Sequence, residues 1–284
     1  MVDSQESIEF ASTTHCCLPT NNCRVSMSEQ KPLILVTNDD GITAHGIRTL
    51  VELMKQLGSV VVVAPNSPQS GMGHAITIAN PIRLYPSDIY GDVPAYECSG
   101  TPADCVKLAK HHVLKDRAPD LVVSGINHGS NSSISILYSG TMSAAIEAAI
   151  EGIPAIGFSL GDFTRQPDFS HTHEHILSIA RNVLAQGLRR GTALNVNFPA
   201  RATEPLNGIR ICRQANAKWQ EVFDERRDPN GRRYFWLAGD FINFDTHAED
   251  TDEYALANNY TSVVPCQYDL TAYSMMDELK DWKL

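Results

Sequence analysis

Two adjacent carboxylates follow the first apolar segment of the sequence. Residues 33–36 are apolar and typical of a buried strand, and the run Asn-Asp-Asp-Gly over residues 38–41 follows almost at once. The carboxylates of Asp39 and Asp40 repel each other and resist burial, and a divalent cation would neutralise the pair. Taken alone, the motif fits a plain turn after a strand better, because Asx residues and glycine are common in turns.

Two further polar segments, residues 66–71 and 125–131, also follow predicted strands. The carboxyl ends of parallel strands meet at one edge of a sheet, so we expect these segments to lie beside the two carboxylates. Their oxygen-bearing side chains include Asn66, Ser70, Asn127 and Asn131. Oxygen ligands suit a hard cation such as Mg²⁺ or Mn²⁺ rather than zinc. The three segments together predict one divalent metal ion per subunit.

A third feature is the start of a predicted helix at Ser139, Gly140 and Thr141. Glycine lets the backbone approach an anion, and the free N–H groups and dipole of a helix N-terminus favour negative charge. The segment therefore predicts a phosphate site. The same residues also make good helix caps, so an ordinary capped helix is the alternative.

Histidine and aromatic residues are weaker candidates. The histidines in or beside the polar segments are His45, His74 and His128. Each is a candidate general acid or substrate contact, although a lone loop histidine is more often structural. The aromatic residues of the C-terminal region include Trp219, Tyr234 and Trp236. They suit stacking on a base, but packing within a hairpin is the commoner use.

Buried strands alternate with amphipathic helices along most of the chain. This order predicts an α/β fold, a Rossmann-like and mostly parallel sheet with helices on both faces. Segment 75–85 reads as extended, and the end of the chain as an irregular tail. We expect a disordered polar leader over residues 1–30, with Met27 as an alternative start. We also expect a core over residues 31–205. The remaining residues, 206–284, are expected to form a C-terminal hairpin and arm suited to oligomerisation.

The composition excludes several classes of protein. A net charge of −10 opposes binding to a polyphosphate backbone, so no stable nucleic-acid partner is expected. No apolar run is long enough for a membrane span, and no signal peptide is evident. Seven cysteines without paired spacing indicate free thiols in the cytoplasm. A zinc site built from the leader cysteines is the less favoured alternative.

The motifs in this order resemble the SurE family, the stationary-phase survival protein E family. The blocks are ILVTNDDGI, VVVAPNSPQSGMGHAIT, SGTPADCV, DLVVSGINHGSN, YSGTMSAAIEAAIEGIPAIGFS and SVVPCQYDLTAY. The resemblance runs from about residue 32 to residue 273. It implies a metal-dependent 5'/3'-nucleotidase with a Rossmann-like domain and a C-terminal arm exchanged between subunits of a homodimer or homotetramer.

The resemblance also implies roles for particular residues. The family's metal ligands fall on Asp39, Asp40, Ser70 and Asn127. Its phosphate-site neighbours fall on Asn66, Asn131, Ser139, Gly140 and Thr141.

The resulting hypothesis is a phosphomonoesterase acting on nucleoside monophosphates by metal-activated water, with Asp39 and Asp40 as the catalytic carboxylates. Two alternatives remain open. A haloacid-dehalogenase-type phosphatase needs a carboxylate two positions before the second aspartate, where this chain has Asn38. A non-catalytic metal or nucleotide sensor would use the same sheet edge without turnover.

Overall fold

The computed structural model describes residues 31–164, 166–200 and 205–282. The predicted leader, with Met27, Cys16, Cys17 and Cys23, lies outside the described residues. The strands are β1 (Leu33–Thr37), β2 (Ser59–Pro65), β3 (Leu84–Ser87), β4 (Ala95–Cys98), β5 (Leu121–His128), β6 (Ala155–Leu160), β7 (Thr192–Phe198), β8 (Ile209–Ile211), β9 (Ala217–Arg227), β10 (Arg233–Asn243) and β11 (Thr261–Gln267).

Nine of these strands form one sheet in the order β3-β4-β2-β1-β5-β6-β7-β11-β8. The strands from β4 to β7 are parallel to one another, whereas β3 runs antiparallel to β4 and β11 antiparallel to β7. The mostly parallel α/β sheet predicted from the sequence is confirmed. Its order reverses around β1, so the carboxyl end of β1 lies at the switch point where such sheets bind ligands.

Helices cover both faces of the sheet. The α-helices of the described residues are α1 (His45–Met54), α2 (Pro102–Leu108), α3 (Gly140–Ile150), α4 (His173–Gln186), α5 (Asp252–Ala257) and α6 (Tyr273–Lys280). Alternate residues of β1 enter opposite cores, because side chains on a strand point to alternate faces. Ile34 and Val36 pack with α1 and α4, and Leu33 and Leu35 pack with α2 and α3.

The start of α2 follows its sequence pattern closely. The Thr101 hydroxyl accepts from Asp104 N, and the Asp104 carboxylate accepts from Thr101 N, which together form a capping box. Across the described residues, no helix is both long enough and apolar enough to cross a membrane. The four cysteines that the structure describes, Cys98, Cys105, Cys212 and Cys266, are free thiols, as predicted.

Three local expectations differ from the structure. Segment 75–85 is expected to be extended throughout, but only its end belongs to β3. Pro81 has no N–H to donate to a neighbouring strand, and Thr77 N donates to the Asp104 carboxylate instead of to a strand. The strand predicted to end before segment 125–131 continues through it to His128, with a shift of register against β6. The predicted irregular tail contains α6, whose residues are all exposed.

The C-terminal region contributes both to the sheet and to a separate ribbon. Strands β8 and β11 join the nine-stranded sheet, while β9 and β10 pair only with each other. The turn between β9 and β10 holds the sequence Pro-Asn-Gly, and Gly231 N donates to Asp228 O there. The predicted hairpin is confirmed. The division of the chain at residue 205 stays a prediction.

Buried carboxamides fasten the loop after β5 to the sheet. Asn131 N donates to Asn197 Oδ1 at 2.8 Å, and Asn197 Nδ2 donates to Asn195 Oδ1 at 2.9 Å. Asn195 Nδ2 donates back to Asn131 O at 2.9 Å, and Asn131 Nδ2 donates to Ser159 Oγ at 2.8 Å. All four side chains are buried. Such a closed set of partners favours one position of the loop.

Replacing Asn197 by alanine should destabilise the protein by about 2 kcal/mol, because Asn131 N and Asn195 Oδ1 lose a buried partner. Urea unfolding measures the change in the free energy of unfolding. Asn182→Ala is the control: Asn182 is exposed on α4 and donates to Ser178 O, so its loss should stay within about 0.5 kcal/mol. Equal losses in the two variants would contradict a stabilising network.

Candidate metal and phosphate site

The first carboxylate lies buried between the end of β1 and the start of α3. The Asp39 side chain is only 4% exposed, and the Thr141 hydroxyl donates to its Oδ1. Thr141 is fully buried in the first turn of α3. The hydrogen bond therefore joins the predicted metal ligand directly to the predicted phosphate site.

Gly140 allows this close approach. A Cβ atom at residue 140 would lie 2.6 Å from Asp39 Cβ and 2.9 Å from Asp39 Oδ2, which is closer than real Cβ contacts. The backbone of Gly140 is helical, so the requirement for glycine comes from space rather than from an unusual φ angle. Any larger residue would push α3 and the carboxylate apart.

Burial makes the charged form of Asp39 costly. Desolvation raises the pKa of Asp39 from 3.8 to about 6, and the neighbouring Asp40 charge adds to the rise. The hydrogen bond from Thr141 acts in the opposite direction. Burial raises the pKa of Asp40 as well, and the backbone N–H of His128 opposes the rise. A buried and a half-buried carboxylate that both resist ionisation would be stabilised by a cation placed between them.

The end of β5 reaches the second carboxylate. His128 N lies 3.2 Å from Asp40 Oδ2 and donates to it. The preceding residue, Asn127, is buried within the strand rather than in the loop after it. Its Nδ2 donates to Gly129 O at 2.8 Å, which orients the side chain. Asn127 thus directly precedes the residue whose backbone contacts Asp40, and the role of its carboxamide as a metal ligand stays a prediction.

The loop after β2 is tied to the same place by backbone hydrogen bonds. Gln69 N donates to Asp39 O at 2.7 Å, and Ile42 N donates to Pro65 O at 2.8 Å. Ser70, the residue after Gln69, is exposed. Gln69 did not figure among the sequence candidates, because a residue that acts through its backbone N–H has no distinctive type.

The start of α3 has a geometry that suits both predictions made for it, an ordinary helix cap and a phosphate site. Ser139 is the N-cap, and its Oγ accepts from Met142 N at 3.0 Å. Accepting this bond leaves the Ser139 hydroxyl proton available as a donor to an anion. The Ser143 hydroxyl donates to Ser139 O at 2.6 Å. Capping and anion binding are thus compatible at this helix N-terminus.

Two of the predicted phosphate neighbours lie in different settings. Asn131 is held in the buried carboxamide network described above. Asn66 is exposed, and its backbone N–H donates to Cys98 O. Within the described part of the chain, no hydrogen bond joins the Asn66 or Asn131 side chain to either carboxylate. Their approach to a phosphate stays a prediction.

The three candidate histidines differ in position. His128 lies at the site through its backbone, and its exposed ring is 6.5 Å from that of Phe163. The His45 ring packs edge-on against Phe169. His74 Nε2 lies 2.9 Å from the buried carboxylate of Glu147, which also accepts from Lys107. The burial of Glu147 was not predicted, because a single acidic residue in an otherwise apolar helix is expected to face solvent.

The donor set fits a hard divalent cation. Two carboxylates, a serine hydroxyl and a carboxamide oxygen are all oxygen donors, which suit Mg²⁺ or Mn²⁺. Among the residues that the structure describes, no group of three or more His, Cys, Asp and Glu side chains offers a metal site of another type. A cavity of about 750 Å³ between α3 and the segment after β11 includes His74 but neither carboxylate.

Several known sequences and structures are similar to this chain. The family model described as "Survival protein SurE" matches residues 34–221. A protein of Cytophaga hutchinsonii named 5'-nucleotidase SurE is 69% identical over 254 residues, covering 89% of this chain and 98% of its own. A protein of the same name from Christiangramia forsetii is 59% identical over 91% of this chain and 99% of its own.

A solved structure agrees in fold. The crystal structure of the SurE protein from Aquifex aeolicus is 40% identical, with a TM-score of 0.75 over 88% of this chain and 98% of that one. The family model spans more than half of the chain, and the relatives match nearly their full length. The chain belongs to the survival protein SurE family.

Proposed function

We propose that this protein is a metal-dependent phosphomonoesterase that hydrolyses nucleoside 5'- and 3'-monophosphates. The names of the two bacterial relatives, each a 5'-nucleotidase, support this activity. One structural observation carries it: Thr141, in the first turn of α3, donates to the Asp39 carboxylate. A carboxylate pair able to hold a cation thus adjoins a helix N-terminus able to hold a phosphate.

The proposed metal ligands are Asp39, Asp40, Ser70 and Asn127, which would hold one Mg²⁺ or Mn²⁺ ion. When bound, the ion supplies a Lewis acid for the phosphate and lowers the pKa of a water molecule. The buried position of Asp39 and the hydrogen bond from Thr141 fix the carboxylate before any ligand arrives. Such prior ordering avoids reorganisation during the reaction.

The other side chains bind and orient the phosphate. The Ser139 hydroxyl and the free N–H groups of the first turn of α3 donate to phosphate oxygens, and Gly140 keeps the backbone accessible. Asn66 and Asn131 are the proposed additional donors. Asp39 and Asp40 accept hydrogen bonds from the attacking water and align it with phosphorus.

The aspartyl-phosphate alternative is not favoured. Asn38 takes the position that would need a carboxylate, and it is buried, with its Nδ2 donating to Gly41 O at 2.9 Å. It therefore closes the turn that presents Asp39 and Asp40. The sensor alternative predicts ligand binding without release of phosphate.

The remaining proposals concern assembly and location. We infer a cytoplasmic homodimer or homotetramer, with residues 31–205 as the catalytic core and 206–284 as the hairpin and arm used for assembly. Large apolar side chains exposed on β9 and β10 support this use of the hairpin.

Asp40→Asn tests the proposed activity. The kcat for Mn²⁺-dependent release of phosphate from AMP should fall by more than about 100-fold in the variant. Loss of a residue that only contacts a metal ligand typically costs about 10- to 100-fold, so a larger fall indicates a ligand. Its unfolding temperature without metal should not fall, because the substitution removes a repulsion from Asp39.

Asp92→Asn, at an exposed loop carboxylate, is the control and should keep wild-type activity. Wild-type turnover in Asp40→Asn would refute the assignment of Asp40. Binding of AMP by the wild-type protein with no release of phosphate would favour the sensor.

Gly140→Ala tests the contact between α3 and Asp39. The added Cβ should destabilise the protein by about 1–3 kcal/mol through overpacking and weaken Mn²⁺ binding by moving Asp39. Urea unfolding and calorimetric titration with Mn²⁺ measure the two effects.

Gly91→Ala provides the comparison. Gly91 has a φ of +61° and open space around it, so alanine there should cost about 1 kcal/mol of backbone strain without changing Mn²⁺ affinity. Unchanged Mn²⁺ affinity in Gly140→Ala would show that the close contact does not position the carboxylate.

A further inference from the structure

A cavity of about 430 Å³ opens beside the proposed site. It is lined by residues of both site loops and of the hairpin: Gly71, Tyr138, Trp219, Glu221, Leu237, Ala238 and Gly239. Gly71 follows the proposed ligand Ser70, and Tyr138 precedes Ser139 at the phosphate site. The volume is within the usual range of small-molecule sites. Two residues that line the cavity are therefore direct sequence neighbours of proposed metal and phosphate ligands.

The two loops that line the cavity contact each other. Gly73 N donates to Tyr138 O at 3.2 Å, so the loop after β2 meets the segment leading into α3. The Tyr138 ring is half-exposed. A molecule whose phosphate lies at Ser139 would thus extend its remaining part towards the hairpin.

One face of the hairpin supplies the opposite wall. Trp219 pairs with Phe241 and Glu221 pairs with Gly239, and residues two apart on a strand share a face. Trp219 and Glu221 therefore lie side by side on the face that lines the cavity. Gly239 lies opposite Glu221 and carries no side chain, so Trp219 and Glu221 are the larger groups of this wall.

Trp219 is held in place but not covered. Its Nε1 donates to Ser135 Oγ at 3.3 Å, and its ring meets Phe241 edge-on at 5.4 Å. Trp219 nevertheless stays 43% exposed. An indole fixed at two points and open on the cavity side is a suitable surface for stacking a planar ring.

We propose that this cavity is the nucleoside subsite of the enzyme, in which the base stacks on Trp219 while the phosphate lies at the start of α3. The proposal rests on the function proposed above. Glu221, when ionised, only accepts hydrogen bonds, so it favours the N–H and O–H donors of a nucleoside over a second anionic group. The sequence favoured hairpin packing for Trp219 and left base stacking as the alternative; the structure shows the hairpin contact with Phe241 and places Trp219 at this cavity.

The test compares AMP with glycerol 2-phosphate, a phosphomonoester without a ring, both in the presence of Mn²⁺. The measured quantity is the ratio of the two kcat/KM values. Trp219→Leu keeps apolar bulk but removes the ring, and it should lower this ratio by about five- to 150-fold, the range expected for loss of base stacking. Trp219→Phe keeps a ring and should largely restore the ratio.

Trp236→Leu is the matched control. Trp236 is exposed on β10, one residue from Leu237, and therefore points to the other face of the hairpin. Its replacement should leave the ratio unchanged. An unchanged ratio in Trp219→Leu, an equal fall in Trp219→Leu and Trp219→Phe, or an equal fall in Trp236→Leu would overturn the subsite.

Hydrolysis of the two esters by the wild-type protein distinguishes failure of the subsite from failure of the proposed phosphatase activity. Hydrolysis of both esters, with a ratio that Trp219→Leu does not change, overturns the subsite alone. Hydrolysis of neither ester overturns the proposed function and the subsite together.

Discussion

The buried carboxylate of Asp39 is the interaction on which the proposed site depends. It lies just after the central strand β1, receives a hydrogen bond from Thr141 and leaves no room for a Cβ at Gly140. Burial next to a second carboxylate raises its pKa to about 6, so ionising both carboxylates is electrostatically unfavourable. The surrounding sheet and helix hold it there nevertheless. Energy from folding would thus prepare the proposed cation site, next to the N-terminus of α3 where an anion is favoured.

The fold around this contact was largely predictable from local sequence. Apolar strands, the Thr101 capping box and the Pro-Asn-Gly turn each follow from interactions between residues close in the chain, and all are present in the structure. The carboxyl-end rule for parallel sheets also explains why segments far apart in sequence meet at β1. The extent of β5 and the helix α6 were not predicted, because pairing with β6 and an exposed helical tail leave weak patterns in the sequence.

The candidate site was predictable in its residue types but not in its contacts. Nothing in the sequence shows that a Cβ at Gly140 would meet Asp39, or that one at Gly46 would lie 1.9 Å from Ile126 O. Such close approaches depend on the packing of helices against strands. The backbone donor Gln69 and the facing of Trp219 towards a cavity likewise depend on tertiary structure. Sequence reasoning therefore finds side chains with suitable chemistry, while the three-dimensional arrangement determines which of them can act together.

A crystal structure of the protein with Mn²⁺, located by its anomalous scattering, tests the central claim most directly. We expect one Mn²⁺ ion per subunit at the carboxyl end of β1, bound by oxygens of Asp39, Asp40, Ser70 and Asn127, with Thr141 still donating to Asp39. A Mn²⁺ ion bound elsewhere, or side chains of Asp39 and Asp40 that point apart with no ion between them, would contradict it.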